Sequence, residues 1–464
     1  MLRWLIGLLL VVLALAGAAY MVAGLGAPPS IVFVAPATAV GQRATLDLAV
    51  GVPGAALDTL KVALEQNGRV TPLFALDTPA DASVTQSDAD HMRVSLTFGI
   101  HTVPELRSGP ARLVATASRP SFLSLRTLSS TAAHDIQVRL EPPTIAVLST
   151  HHYLNHGGSE VVLYRATPPE ATSGVRVGQI EYQGFPASGA GITGADPSLR
   201  VAFFALLHDQ NLNTPIVAFA RDETGNEGKV SFVEKVFEKP FRRSKIAVDD
   251  GFLQRVVPDI LSHSPELGGQ TTATNLVSTF LTINRELRRQ NNDRILELTS
   301  KTAPARLWSG PFVALGNAKV EASFADYRTY LHAGQEIDRQ VHLGFDLAVT
   351  AQIPVTAANA GTVLLAEWLG IFGNCVVIDH GMGVASLYGH LSVIDIKTGE
   401  AVAKGQALGR SGMTGLAAGD HLHFTMLVGG RPVNPVEWWD PHWIADRIDR
   451  KLAAGSSAAQ YQPQ

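Results

Sequence analysis

The sequence has almost no cysteine and no excess of basic residues, and each of these absences excludes a kind of site or a class of function. One cysteine, Cys375, is present among 464 residues, so the chain can form no internal disulfide and no zinc site built from several thiolates. Lys and Arg total 37 against 41 Asp and Glu, and the formal net charge of -4 argues against a nucleic-acid binder. A metal ion would have to be held by histidines and carboxylates, and the chain has 15 histidines.

Long hydrophobic runs are also scarce, and the one that is present lies at the N-terminus. Residues 4–26 carry no charge and would form a helix about 34 Å long, enough to cross a bilayer core of roughly 30 Å. Arg3 precedes the run, which predicts an exported chain. We therefore predict an inner-membrane anchor with the bulk of the chain in the periplasm. Ala14, Ala16 and Ala18 could form a cleavage site, which would instead give a secreted protein.

Strand patterns dominate residues 31–240. Apolar and β-branched residues alternate with polar ones at near period two between turn residues, which is typical of β-sandwiches. Glu141-Pro142-Pro143 divides the stretch, so we predict one β-sandwich at 31–142 and a second, immunoglobulin-like one at 143–240. Residues 216–230 resemble the strand–turn–strand ending of bacterial immunoglobulin-like repeats. Such domains could bind partner proteins of the cell envelope.

A helical connector is predicted at 245–300, followed by a return to strands. The connector has apolar residues at i, i+4, i+7 and i+11, namely Leu276, Phe280, Ile283 and Leu287. Strand patterns with glycine turns then predict an antiparallel β domain at 301–446. Residues 447–464 are predicted to be a disordered tail. The predicted fold is thus mainly β, with an N-terminal transmembrane helix, two sandwiches, a helical connector and a C-terminal β domain.

Two histidines lie one pleat apart in the strand that begins at His421. Side chains at 421, 423 and 425 would share one face of this strand, whereas the opposite face would be apolar. The apolar side chains of that face are Leu422, Phe424, Met426 and Val428. Of the two imidazoles, those of His421 and His423, one could therefore bind a metal ion. The other could donate or accept a hydrogen bond with the group that the metal holds.

A third histidine and an aspartate complete a possible ligand set. A straight strand would hold His342 and Asp346 about 13 Å apart, but a bend at Gly344 would bring them together. With His423 they would supply two nitrogens and one oxygen, leaving a fourth position open, as in catalytic zinc sites. His390, at a strand end before a turn, reads as structural when taken alone.

In combination, these motifs resemble those of the lysostaphin/LytM-type zinc metallopeptidases, which cleave peptidoglycan peptides. The shared pattern is His-x-x-x-Asp at 342–346, Tyr-x-His-Leu at 388–391 and His-Leu-His-Phe at 421–424, within a matching glycine framework. The resemblance covers about 340–437. Thr425 stands where the family usually has Glu, and Met413 replaces a small polar residue, but neither belongs to the ligand set.

The resemblance implies a role for each site residue. His342, Asp346 and His423 match the zinc ligands, and His390 and His421 match the two catalytic histidines. It implies a zinc endopeptidase that hydrolyses peptide bonds of peptidoglycan through a metal-activated water. One of these histidines would accept the proton of the water and later donate it to the leaving amine, and the sequence leaves open which of the two does so.

Two other functions stay open at this point. Some members of the family act as regulators without catalysis, so a masked regulator or scaffold of cell-wall hydrolases is the alternative. Residues 245–300 could then cover the site. A third reading is a secreted protease of proteins, because the zinc chemistry is indifferent to the origin of the peptide.

Overall fold

The computed structural model describes residues 2–24, 26–53, 56–79, 81–88, 90–121, 124–267, 275–348 and 350–453. The chain divides into two compact units. The first consists of Met1–Pro143 with Arg221–Glu227, and the second of Thr144–Ala220 with Gly228–Gln464. Strands form most of the regular structure, which confirms the mainly β prediction.

Helix α1 (Leu2–Ala23) contains most of the apolar run seen in the sequence. The most apolar stretch of this 22-residue helix has a mean hydropathy of 2.6, and none of that stretch is buried. Among the described residues it is the one helix long and apolar enough to cross a membrane. The helix ends three residues before the predicted limit at residue 26.

Two sheets of the first unit share one hydrophobic core. The strands of the two sheets are β1 (Ser30–Ala35), β2 (Ala39–Val40), β3 (Arg43–Gly51), β4 (Thr59–Gln66), β5 (Arg69–Ala75), β6 (Ser83–Gln86), β7 (His91–Gly99), β8 (Gly109–Pro120) and β9 (Thr127–Val138). The sheet orders are β1-β3-β7-β6 and β2-β9-β8-β4-β5. Strand β4 shows why they form: Leu60, Val62 and Leu64 are buried on one face at period two.

The second unit begins with three further sheets. Their strands are β10 (Thr144–Val147), β11 (Tyr153–Asn155), β12 (Ser159–Thr167), β13 (Thr172–Val177), β14 (Ile180–Gln183), β15 (Phe185–Pro186), β16 (Leu199–Ala205), β17 (Ile216–Arg221), β18 (Glu227–Ser231) and β19 (Lys235–Phe237). The sheet orders are β10-β12-β16-β15, β14-β13-β17-β18 and β11-β19.

The helical segment comes next. Helix α2 (Asp250–His263) precedes α3 (Leu276–Thr282), a π-helical turn (Ile283–Leu287) and α4 (Arg288–Thr299). The side chains of Phe280, Ile283 and Leu287 are fully buried, and they pack in one core with Tyr330 and Ile371. The predicted apolar helix face is therefore confirmed.

The C-terminal part is built on an eight-stranded sheet of order β21-β24-β32-β28-β27-β26-β30, with β33 paired to β32. All of its strand pairs are antiparallel. Smaller sheets are β20-β22-β23 and β25-β31-β29. The elements are β20 (Arg243–Ala247), β21 (Lys319–Ala322), β22 (Asp326–His332), β23 (Gln335–His342), β24 (Phe345–Ala348), β25 (Pro354–Thr356), β26 (Gly361–Trp368), β27 (Asn374–Gly381), β28 (Val384–Leu391), β29 (Val393–Ile394), β30 (Ala401–Val402), β31 (Ala407–Arg410), β32 (His421–Val428), β33 (Arg431–Val433), α5 (Pro435–Trp439) and α6 (Pro441–Trp443).

Aromatic packing unites two stretches that the sequence suggested were separate domains, 143–240 and 301–446. The Trp438 ring lies 6.1 Å from Phe203 and 5.5 Å from Trp308, measured between ring centroids. Its indole N–H donates to Ser159 Oγ at 3.0 Å. The two stretches therefore share one hydrophobic core.

The disordered tail predicted at 447–464 is wrong for its first seven residues. A π-helical turn covers Ile444–Asp449, and helix continues through residue 453. Ile444, Ile448 and Leu452 are buried at spacings of four, an apolar pattern that the polar residues between them obscured. Residues 454–464 lie outside the described residues.

A buried ion pair holds this C-terminal helix against β12. Lys451 Nζ lies 2.7 Å from Glu160 Oε1, and the side chains are 6% and 0% exposed. Removing one partner of a buried pair leaves the other charge without compensation, which typically costs about 3–5 kcal/mol.

We predict that Lys451→Met lowers the free energy of unfolding of the second unit by about 3 kcal/mol or more. Urea unfolding followed by tryptophan fluorescence measures the loss. Arg450→Met is the matched control, because its partner Asp446 is half exposed and such pairs contribute about 0–1 kcal/mol. Adding Glu160→Gln to Lys451→Met should recover part of the loss, whereas equal losses from Lys451→Met and Arg450→Met would contradict the buried-pair interpretation.

Candidate metal centre

Strand pairing brings the candidate ligands to one place. Antiparallel β24 and β32 pair so that Asp346 lies opposite His423 and Ala348 lies opposite His421. On the other edge of β32, Gly389 of β28 lies opposite His423. His390, the next residue of β28, is thereby brought close to His423. Strands far apart in the chain thus place one carboxylate and three imidazoles around a common point.

The predicted bend at Gly344 lies between β23, which ends at His342, and β24. A Cβ at position 344 would lie 2.6 Å from His423 Nε2 and 2.6 Å from Thr425 Oγ1. Any side chain here would therefore collide with the site, so glycine is needed for the close approach of the backbone. The same bend turns Asp346 back towards His342.

Three potential ligand atoms converge. His342 Nε2 lies 2.9 Å from Asp346 Oδ1 and 3.1 Å from His423 Nδ1, and His423 Nδ1 lies 3.0 Å from Asp346 Oδ1. Among the described residues, these three form the one group of His, Cys, Asp or Glu arranged to hold a metal ion. The sequence-predicted ligands are thus brought together.

Hydrogen bonds on the far side of each imidazole fix its orientation. Nδ1 of His342 donates to the Ser323 carbonyl at 3.2 Å, which leaves Nε2 as an acceptor facing the group. Nε2 of His423 donates to Thr425 Oγ1 at 3.0 Å, and that hydroxyl donates to the Leu343 carbonyl at 3.1 Å. Thr425, noted in the sequence only as a departure from the family pattern, therefore orients His423.

Arg328 is a neighbour of the group that sequence reasoning missed. Its Nη2 donates to Asp346 Oδ2 at 2.9 Å, so one carboxylate oxygen is held by the guanidinium while Oδ1 faces the histidines. Burial alone would raise the pKa of Asp346, but the charge and hydrogen bonds of His342, with those of His421 and His423, hold that pKa well below its usual value. The carboxylate form is thereby favoured.

The two remaining histidines lie beside the group. Nδ1 of His421 donates to the Gly419 carbonyl at 2.8 Å, and its Nε2 lies 3.4 Å from Asp346 Oδ1. Nδ1 of His390 donates to the Thr414 carbonyl at 2.8 Å, and the His390 and His421 rings lie 4.8 Å apart. His390 has φ of +64°, a backbone conformation that is uncommon for a non-glycine residue and that clusters at functional sites.

Burial sets much of the protonation of these imidazoles. Burial lowers the pKa of His423 to about 4. Burial and the neighbouring His421 and His423 lower the pKa of His390 well below its usual value. Burial, the largest single effect, acts to lower the pKa of His421, but the hydrogen bond and charge of Asp346, together with the hydrogen bond to the Gly419 carbonyl and the charge of Glu321, raise it above its usual value. Neutral imidazole, the form that binds metals, is thus favoured at 390 and 423.

The donor set fits a single metal ion. Ligands about 2.0–2.2 Å from one tetrahedral ion lie roughly 3.3–3.5 Å from one another, so the observed separations need to widen by only a few tenths of an ångström. Both nitrogens present lone pairs, and the carboxylate supplies one oxygen. This is the geometry of a mononuclear metal centre on an antiparallel β scaffold, with two further imidazoles at its side.

Comparison with known proteins identifies the domain. Residues 340–435 match the model of Peptidase family M23 and therefore form an M23 peptidase domain. The resemblance to lysostaphin/LytM-type peptidases is thus confirmed for this part of the chain, which contains all five candidate site residues.

Named relatives match over stretches of 96 and 97 residues, about the length of this domain. The chain is 42% identical over 96 residues to the peptidoglycan DD-endopeptidase ShyA of Vibrio cholerae serotype O1, covering 21% of this chain and 22% of that protein. It is 39% identical over 97 residues to the DD-carboxypeptidase/endopeptidase Mpg of Neisseria meningitidis serogroup B, with the same shares. The catalytic domain of lysostaphin from Staphylococcus simulans aligns over 26% of this chain and 92% of that structure, at 27% identity and a TM-score of 0.24. The match thus spans about a fifth of the length of ShyA and of Mpg.

We predict that Thr425→Val weakens metal binding about 10- to 100-fold, because His423 Nε2–H loses its acceptor while the volume of the side chain is retained. Competition with a chelator of known affinity measures the change. Thr398→Val is the control, since the Thr398 hydroxyl accepts from the Ala366 amide at an exposed position. Unchanged metal affinity in Thr425→Val would remove Thr425 from the support of the centre.

Proposed function

We propose that the chain is an exported zinc metalloendopeptidase that hydrolyses peptide bonds in peptidoglycan. The observation that carries this proposal is the convergence of His342 Nε2, Asp346 Oδ1 and His423 Nδ1 beside two further imidazoles. Three protein ligands with an open fourth position are typical of catalytic rather than structural zinc.

The named relatives support the choice of substrate. ShyA is described as a peptidoglycan DD-endopeptidase and Mpg as a DD-carboxypeptidase/endopeptidase, and each is similar to this chain over a stretch about as long as the M23 domain. An identity of about 40% over such a stretch favours a shared substrate class, which makes a protein substrate the weaker alternative.

The chain's own residues would divide the chemistry between them. Zinc held by His342, Asp346 and His423 would lower the pKa of a water towards about 7 and polarise the scissile carbonyl. His390 and His421 each donate Nδ1–H to a backbone carbonyl, so in the neutral imidazole Nε2 is the nitrogen that would accept a proton and pass it to the leaving amine. A protonated imidazole would also stabilise the developing oxyanion.

The rest of the chain supports a location in the cell envelope. Helix α1 would anchor the protein in the inner membrane with the bulk of the chain in the periplasm, or would direct secretion if it is cleaved. The sheets within 31–142 and 143–240 would offer surfaces that bind envelope proteins.

A regulatory function without catalysis is the second candidate, and one observation favours it. Residues of α4, including Asn292 and Leu296, line a cavity with His342 and His423, so the helical segment forms a wall over the metal centre. A wall that excludes peptidoglycan would leave a domain that binds zinc and partners but cleaves nothing.

We predict that the full chain in detergent cleaves purified peptidoglycan and that a chelator abolishes cleavage. Mass spectrometry of the fragments identifies the bond. His421→Ala should retain one zinc per chain and lose about 10²- to 10⁴-fold in kcat, because one proton-transfer group is removed. His423→Ala should lose both zinc and activity.

His442→Ala is the control for both variants, since its side chain is 93% exposed and it lines neither cavity at the centre. Zinc bound at one per chain without cleavage would favour the regulatory function. Cleavage that a chelator does not affect would contradict the zinc mechanism.

A further inference from the structure

Two cavities meet at the metal centre. Their volumes are about 250 and 350 Å³, and both are lined by Arg288, His342, Phe372 and His423. Three of these residues belong to the M23 domain, but Arg288 is the first residue of α4 and lies outside residues 340–435. The helical segment thus places a guanidinium at the point where the two cavities join.

The hydrogen-bond partners of Arg288 are neutral. Its Nε donates to the Asn284 carbonyl at 3.1 Å, and its Nη2 donates to Asn284 Oδ1 at 2.6 Å. Asn284 is fully buried, and its Nδ2 donates to Asp338 Oδ2 at 2.8 Å, which fixes the amide in place. The guanidinium is therefore held in a defined position with Nη1 still free of these bonds.

The neighbouring arginines differ from Arg288 in having carboxylate partners. Arg285 pairs with Asp338, Arg289 with Glu286 and Asp293, and Arg328 with Asp346. No carboxylate oxygen of the described residues lies within 4.0 Å of the Arg288 guanidinium. Burial withdraws the Arg288 charge from water, and the Asp338 carboxylate acts on it across the Asn284 amide rather than by direct contact. A buried guanidinium without a direct anionic partner is unfavourable, so an anionic ligand would complete this site.

We propose that Arg288 binds a free carboxylate of the peptide substrate, carried close to the scissile bond. The proposal rests on the proposed function and adds the substrate class: peptides with a free carboxylate beside the bond that is cleaved. Arg288 lines both cavities together with His342 and His423, so a group bound to Arg288 would lie in the space that the metal ligands also line. A planar guanidinium suits a carboxylate because it offers paired N–H donors.

The first test compares two forms of one substrate on the unaltered protein. The probe is a purified cross-linked muropeptide dimer, either with free carboxylates or with those carboxylates converted to amides. We expect amidation to lower kcat/KM about 10- to 100-fold, mainly through KM, because the charge-assisted hydrogen bonds are lost. Equal rates on both forms would overturn the role of Arg288 and leave the proposed function standing, whereas no cleavage of either would count against the proposed function.

The second test uses variants. Arg288→Ala should cleave the free-acid dimer as slowly as the unaltered protein cleaves the amidated dimer, and it should no longer distinguish the two forms. Arg289→Ala is the matched control, because its side chain is 61% exposed and it lines neither cavity. It should discriminate as the unaltered protein does.

A binding measurement separates recognition from catalysis. In the His421→Ala background, calorimetry with the free-acid dimer should show about a tenfold weaker affinity when Arg288→Ala is added, and no change when Arg289→Ala is added. Equal affinity with and without Arg288→Ala would overturn the assignment whatever the activity of the enzyme.

Discussion

The antiparallel register of β24 and β32 is the constraint on which the metal centre depends. Asp346 lies opposite His423, while Leu422 and Phe424, on the other face of the same strand, pack into the core. A shift of one residue would turn the histidines into the core and the apolar side chains into the site. Burial of the apolar face therefore fixes the position of the ligands, and the free energy of core packing also organises the centre.

Backbone carbonyls perform much of the fine positioning. Nδ1 of His342, His390 and His421 each donates to a carbonyl, which leaves the second ring nitrogen directed at the site. Because a carbonyl is present whatever the side chain, no residue type in the sequence marks these contacts. Thr425 and Arg328 are the side-chain counterparts: they constrain His423 and Asp346 through atoms that point away from the reacting group.

The sequence predicted those features of the fold and site that depend on residues close together in the chain. The two faces of β32, the bend at Gly344 and the apolar face of the helix at 276–287 all follow from periodicity or from a required close approach. The unpredicted features depend on contacts distant in sequence. Trp438 packs with Phe203 across 235 positions of the chain, and the carboxylate bound by Arg328 is on another strand. Alternation within one strand carries no information about such partners.

The metal centre and the Arg288 guanidinium have separate structural origins. The ligands are fixed by strand register, whereas Arg288 is placed by the helix whose residues Phe280, Ile283 and Leu287 are buried. Burial of Leu287 fixes the rotation of the helix, and the next residue is thereby directed to the cavities. Substitutions in the helical segment can therefore alter which peptides bind without altering the ligand set, so selectivity for a substrate carboxylate is separable from the chemistry at the metal.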